Sequence, residues 1–133
     1  MPLKKIRKNI DAIDQEIVTL LNRRADRILE IGRLKAKTNQ SVYAAARERE
    51  VLRRIAQANR GPLDNNALKA IYREIMSASL SLEKPVVIAF MGPQASFSHL
   101  AAMKKFGASV NYLACGSIGD VFLEVEKDSA DYG

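Results

Sequence analysis

Residues 3 to about 36 carry one uninterrupted helical pattern, and nothing else in the chain constrains the fold as much. Ile6, Ile10, Ile13, Ile17, Leu20, Leu21, Ile28 and Ile31 fall on one stripe, at spacings built from threes and fours. The run holds no proline, and its one glycine, Gly32, comes near the end. At 1.5 Å per residue such a helix is roughly 50 Å long, more than a compact domain of this size covers by itself. A stripe that long and regular calls for a partner, so a dimer is expected.

A polar stretch from Lys37 to Ser41 interrupts the pattern. A second helix is predicted from about Ala45 to Asn59, with Val51, Leu52 and Ile55 on its apolar face. Gly61-Pro62 reads as a turn, and Asp64 as the N-cap of a third helix that reaches about Leu82. Pro85 ends it, because proline disfavours helical backbone at the residue before it. Beyond Pro85 the pattern changes. The β-branched run VVIAFM (86–91) reads as a buried strand, GPQASF as a loop, and Ser98 to Phe106 as a helix. Val110 to Leu113 suits a second strand and Ile118 to Lys127 another helix, giving the β-α-β-α order that opens a parallel-sheet domain. The expected fold is mainly α: a three-helix domain over residues 1–84, then an incomplete α/β fragment over residues 85–133. Asp131-Tyr132-Gly133 adds no predicted closing element, so an exposed sheet edge or an outside packing surface is expected.

Composition narrows the function classes. A chain with 47% hydrophobic and 27% charged residues folds as a globular protein. No apolar run approaches the ~20 residues of a membrane span. The opening MPLKKIRKNIDAIDQ is basic but lacks the apolar centre of a secretory signal, so a cytoplasmic location and no membrane partner are expected. The single cysteine, Cys115, excludes an internal disulfide, and with the single histidine, His99, it cannot build a metal site; both read as structural. Charge is unevenly spread. Residues 1–84 hold 18 Lys/Arg against 10 Asp/Glu, whereas residues 85–133 hold 3 against 5, so the helical region suits an anionic ligand.

Several charges stand where an apolar residue was due. Arg24 and Lys35 fall inside the stripe of the first helix, and Arg7 lies beside it. Glu48 is central to the Val51/Leu52/Ile55 face, with Arg47 at its edge. Ser79 belongs to the stripe of Leu68, Ile71, Ile75 and Leu82, and Glu83 follows one turn on. Buried charge is costly unless paired, which leaves two readings. The acids neutralise the cations in a structural network, or the bundle encloses a cation-rich pocket for a small dianion. Residues 1–84 contain no Cys or His, no Gly-rich phosphate loop, and no serine beside a plausible base. Any catalysis there rests on binding, orientation and electrostatics.

The run IRKNIDAIDQEIVTLLNRRADRILEIGRLK, then RERE at 47–50 and IYREIMSASLSLE at 71–83, resembles the all-helical chorismate mutases. VIAFMGPQASFSHLAAMKKFG and DVFLEVEKDSADYG resemble the start of a prephenate dehydratase domain, as in the bifunctional chorismate mutase–prephenate dehydratases. The resemblance implies an intertwined all-helical homodimer that converts chorismate to prephenate, on the route to phenylalanine, without any cofactor or metal. It implies that Arg24, and Arg7 of the partner subunit, hold the substrate carboxylates, with guanidinium forks suited to bidentate pairing. Lys35 would donate to a carboxylate and to the ether oxygen, Glu48 would accept from the ring hydroxyl, and Arg47 and Ser79 would complete the shell. Glu83 stands where some members have Gln as a second donor to the ether oxygen, so it would need a proton. Ala44 stands where some relatives have an acid. The later dehydratase motifs are absent, so no dehydratase activity is expected from this chain.

GPQASFSH, with Gln94-Ala95-Ser96 at its centre, is either a carboxylate-binding helix start or an ordinary strand-to-helix turn. Two rival readings of the helical region are a basic dimer that binds nucleic acid and a dimerisation module without activity. Scarce aromatic residues and cations on the apolar face oppose the first, so no nucleic-acid partner is expected. The joint presence of Arg24, Lys35 and Glu48 opposes the second.

Overall fold

The computed structural model describes residues 1–38 and 44–133. Three helices come first: α1 (Pro2–Thr38), α2 (Ala45–Ala58) and α3 (Asn65–Glu83). The predicted bounds agree with these to within a residue or two. Of the polar break at Lys37 to Ser41, residues 39–41 lie outside the described residues. Proline starts α1, where its missing N–H would be unsatisfied anyway, and Lys35 and Lys37 stand at the negative end of its dipole. Asp64 caps α3 as expected, its Oδ1 accepting from Ala67 N at 2.8 Å. The α2–α3 turn is tied by Asn59, whose side chain donates to Leu63 O (2.7 Å) and accepts from Gly61 N (3.2 Å).

Helix α3 is the centre of this unit and packs against both α1 and α2. Only the C-terminal half of α1 is covered: Arg24, Ala25, Ile28, Leu29, Gly32 and Lys35 are part-buried, and every residue before Arg24 is exposed. Leu3, Ile6, Ile10, Ile13, Ile17 and Leu20 are each 48–56% exposed along one face. The stripe predicted to bury the first helix is therefore bare over more than half its length.

The second region is built as β1 (Val87–Met91), α4 (Phe97–Phe106), β2 (Asn111–Cys115) and α5 (Ile118–Glu126). The strands are parallel, in register from Val87 opposite Asn111 to Met91 opposite Cys115. The second strand starts at Asn111 and not at Val110, and runs two residues beyond Leu113; Val110 instead turns into the core, 6% exposed. Strand alternation divides the apolar residues between two layers. Ile88, Val86 and Val110 pack with Leu80 of α3, covered by Ala102 and Phe106 of α4. On the other side Ala89, Cys115 and Ala130 meet Val121 and Val125 of α5. Leu80 thus ties the helical unit to the sheet.

One expectation about this region changes, and one pair of open readings is narrowed. Residues 131–132 do pair with the sheet: Ala89 N donates to Tyr132 O and Asp131 N to Val87 O, each at 2.8 Å, on the side of β1 away from β2. In the GPQASFSH segment Ser96 and His99 bond their own turn. Ser96 Oγ caps α4 through His99 N (3.2 Å), Ala95 N donates to His99 Nδ1 (2.7 Å), and the imidazole stacks on Phe90. That is a strand-to-helix turn, with His99 structural; Cys115 is buried and free.

Ile88, 2% exposed, is among the most buried side chains of the shared core. Ile88→Ala is expected to cost about 3 kcal/mol of unfolding free energy, read by urea denaturation. A loss below about 1 kcal/mol would show that the sheet does not support the fold.

Candidate active site

A cavity of about 320 Å³ opens between the C-terminal half of α1, the start of α2 and the end of α3. It collects Arg24 and Lys35 from α1, Arg47 and Glu48 from α2, and Ser79 and Glu83 from α3. Six of the seven residues singled out in the sequence therefore line one pocket. The seventh, Arg7, does not. It lies on the exposed N-terminal half of α1, 17 residues before Arg24, and at 1.5 Å per residue that is about 25 Å along the helix.

Each side chain is placed by its helix. Arg24 and Lys35 are eleven residues apart, three turns, so both point to the α3 side. Arg24 Nη1 donates to Ser79 Oγ at 3.1 Å, and that hydroxyl donates on to Ile75 O at 2.8 Å. Lys35 Nζ lies 3.7 Å from Glu83 Oε1, an ion-pair distance too long for a hydrogen bond. The Glu83 side chain is only 7% exposed, and its Oε1 has no hydrogen-bond partner. Arg47 stands at the mouth, its guanidinium turned to Glu50 at 3.4 Å. Ile28, Ile31, Val51, Met76 and Leu80 form the apolar wall, and Ala44 closes the α2 end.

Electrostatics sets the two acids apart from ordinary carboxylates. Burial raises the pKa of Glu83, an effect the neighbouring Lys35 cation partly offsets. Burial likewise raises Glu48, opposed by Lys105 and Arg73. Both keep a proton to higher pH than a free glutamate, and they share the pocket with Arg24, Lys35 and Arg47. The pocket is suited to a small anion with at least two acidic groups, and a protonated Glu83 turns an acceptor into a donor. Among the described residues no group of three His, Cys, Asp or Glu is placed to hold a metal ion. No described helix is long and apolar enough to cross a membrane.

In the sequence Gly32 marks only a late interruption of α1. In the fold its α-hydrogen faces α3: a Cβ there would come within 3.3 Å of Glu83 Cγ and 3.4 Å of Glu83 Cα. A helix-interior glycine costs about 1 kcal/mol against alanine, and here it leaves α1 and α3 in close approach beside Glu83, where a Cβ would be a tight contact. A glycine inside an otherwise uninterrupted stripe is the signal that could have found it.

A three-helix unit with one very long helix and a cation-lined pocket at its centre is the architecture of the all-helical chorismate mutases. Residues 6–84 match the family chorismate mutase type II, and the chain belongs to that family. Residues 88–133 match the prephenate dehydratase family. The chain is 48% identical over 98% of its length to the bifunctional chorismate mutase/prephenate dehydratase of Aquifex aeolicus, and 45% identical over 95% to that of Neisseria gonorrhoeae. It spans 37% and 34% of those relatives, little more than a third. Chorismate mutase (Form II) from Thermus thermophilus superposes with a TM-score of 0.61 at 34% identity, over 62% of this chain and 94% of that one.

The placement of Lys35 beside a buried acid has a measurable consequence. Lys35→Met removes the one cation that offsets burial, so the Glu83 pKa rises further, read by carboxyl carbon NMR titration. An unchanged or lowered value would mean that the pair does not interact.

Proposed function

We propose that the helical residues 1–84 rearrange chorismate to prephenate, without a cofactor, in a homodimer whose pockets are each completed by Arg7 of the other copy. The observation that carries this reading is the convergence of Arg24, Lys35, Glu48, Ser79 and Glu83 on one cavity of about 320 Å³. Family membership supplies the substrate. Chorismate is a dianion with a ring hydroxyl and an ether oxygen, and the pocket offers a complement for each. Arg24 and the second copy's Arg7 take the carboxylates, and Glu48 accepts from the ring hydroxyl. Ser79 fixes Arg24, and Arg47 screens the mouth.

The reaction breaks a C–O bond as a C–C bond forms within one molecule. It needs no nucleophile, and negative charge grows on the ether oxygen in the transition state. Lys35 and a protonated Glu83 donate to that oxygen, so their interaction strengthens as the bond breaks. The apolar wall holds the substrate compact and keeps water from competing for the donors.

The bare stripe from Leu3 to Leu20 supports the dimer, since so many half-exposed aliphatic residues on one face form a patch that water disfavours. A second copy packed along it antiparallel brings its Arg7 toward the first copy's pocket, which the chain's own Arg7 does not line. A cytoplasmic setting on the route to phenylalanine agrees with the one free, buried cysteine. No reaction is assigned to residues 85–133.

Loss of chorismate absorbance with the purified chain tests the proposal. Arg24→Ala is expected to lower turnover by more than about a hundredfold, and a folded dimer that leaves chorismate unchanged contradicts the reading. Because the Glu83 pKa is raised, its donating form is present at low pH and lost as pH rises through that pKa. Glu83→Gln should keep activity and flatten the decline toward high pH; an identical profile would remove Glu83 from the role of donor.

A further inference from the structure

Glu83 is the last helical residue of α3, with Lys84 in extended conformation and Pro85 next. The final turn of a helix has unsatisfied carbonyls and opens at little cost unless something holds it. A carboxylate that must stay 3.7 Å from Lys35 is therefore placed at the position of α3 most prone to fray.

What holds it lies on the other side of the helix. Glu74, Ser77 and Ser81 recur at i, i+3 and i+7, on a face turned away from Ser79 and Glu83. All three bond the turn between α4 and β2. Glu74 Oε2 accepts from Ala108 N at 3.1 Å, Ser77 Oγ accepts from Ser109 N at 3.1 Å, and Ser81 Oγ donates to Ser109 O at 2.6 Å. The approach is close. Ser77 is 3% exposed, and a Cβ on Gly107 would come within 2.5 Å of Ser77 Cβ. Gly107 also has φ 77°, in the left-handed region that disfavours a side chain. The Tyr112 hydroxyl donates to Gly107 O and so anchors the turn to β2. Burial, with the nearby Glu74 carboxylate, pushes that hydroxyl up to about 12, so it remains a donor throughout the neutral range.

We infer that the Gly107–Ala108–Ser109 turn is a brace, and that Glu74, Ser77 and Ser81 are positioning residues fixing the last turns of α3, and thereby Ser79 and Glu83, for the proposed mutase pocket. The α/β region then supports the chemistry of the helical one without touching substrate. This inference rests on the mutase reading for its kinetic consequence, and on the hydrogen bonds alone for its mechanical one.

The test compares three forms of the full chain: wild type, the double variant Ser77→Ala/Ser81→Ala, and Asp131→Ala. The last loses the Val87 N to Asp131 Oδ2 bond (2.9 Å), which weakens the α/β region away from α3. In the double variant kcat should fall about fivefold with KM changed less than about twofold, since the Glu83 interaction acts mainly in the transition state. Backbone amides 80–84 should exchange about tenfold faster with solvent. Asp131→Ala should leave both readouts at the wild-type level. The brace is overturned if the folded double variant keeps wild-type kcat and exchange, or if Asp131→Ala lowers kcat equally. A wild-type chain that leaves chorismate unchanged overturns the mutase reading instead, and amide exchange then decides the brace alone. Gly107→Ala, which drives the turn off Ser77, should reproduce the double variant's faster exchange.

Discussion

The contact between Lys35 and Glu83, beside the close approach of α1 to α3 at Gly32, is the constraint on which the pocket depends. It joins α1 to α3 at 3.7 Å, buries a carboxylate oxygen without a hydrogen bond, and gives the pocket its floor. Stability alone does not explain it, because a buried ion pair seldom outperforms apolar packing of the same volume. Nor does helix formation, since alanine would serve α1 better than Gly32. The arrangement becomes intelligible when an anion is the missing member of the cluster: cations lining one pocket beside an acid whose pKa burial raises are costly when empty and complementary when filled.

Helix α3 distributes this constraint. One face carries Ser79 and Glu83 into the pocket, the opposite face takes Glu74, Ser77 and Ser81 onto the α4–β2 turn, and Leu80 contributes to the cavity wall and to the sheet core alike. The two regions of the chain thus share a helix as well as a connection. Helix α1 has the converse character. Its C-terminal half is fixed against α3, while its N-terminal half presents a stripe of aliphatic side chains to solvent. A helix with one covered half and one bare half is the observation that supports the proposed pairing of two copies.

Much of this was legible in the sequence because it is local. Periodicity placed three helices and two strands, Asp64 and Pro85 marked the ends of α3, and residues of the wrong polarity on apolar faces picked out Arg24, Lys35, Glu48, Ser79 and Glu83. What was hidden depends on contacts between distant parts of the chain. Nothing near Gly32 says that Glu83 lies across from it, 51 residues later. Ser77 and Ser81 read as small polar residues on a helix, and only the fold brings Ser109 against them. Residues 131–132 are too few and too polar to read as a strand, yet β1 supplies a ready partner. Arg7 was legible as a cation beside the stripe, but periodicity could not say that it lies outside the pocket that the other six residues line.

The central claim, a mutase pocket completed across two copies, is tested most directly by mixing two inactive variants. Arg7→Ala and Arg24→Ala each remove a different member of every pocket. Unfolded and refolded together at equal amounts, they should form mixed dimers with one intact pocket, restoring chorismate conversion to about a quarter of the wild-type rate. Activity that stays at the level of the separate variants, in dimers shown to have mixed, would contradict a shared pocket.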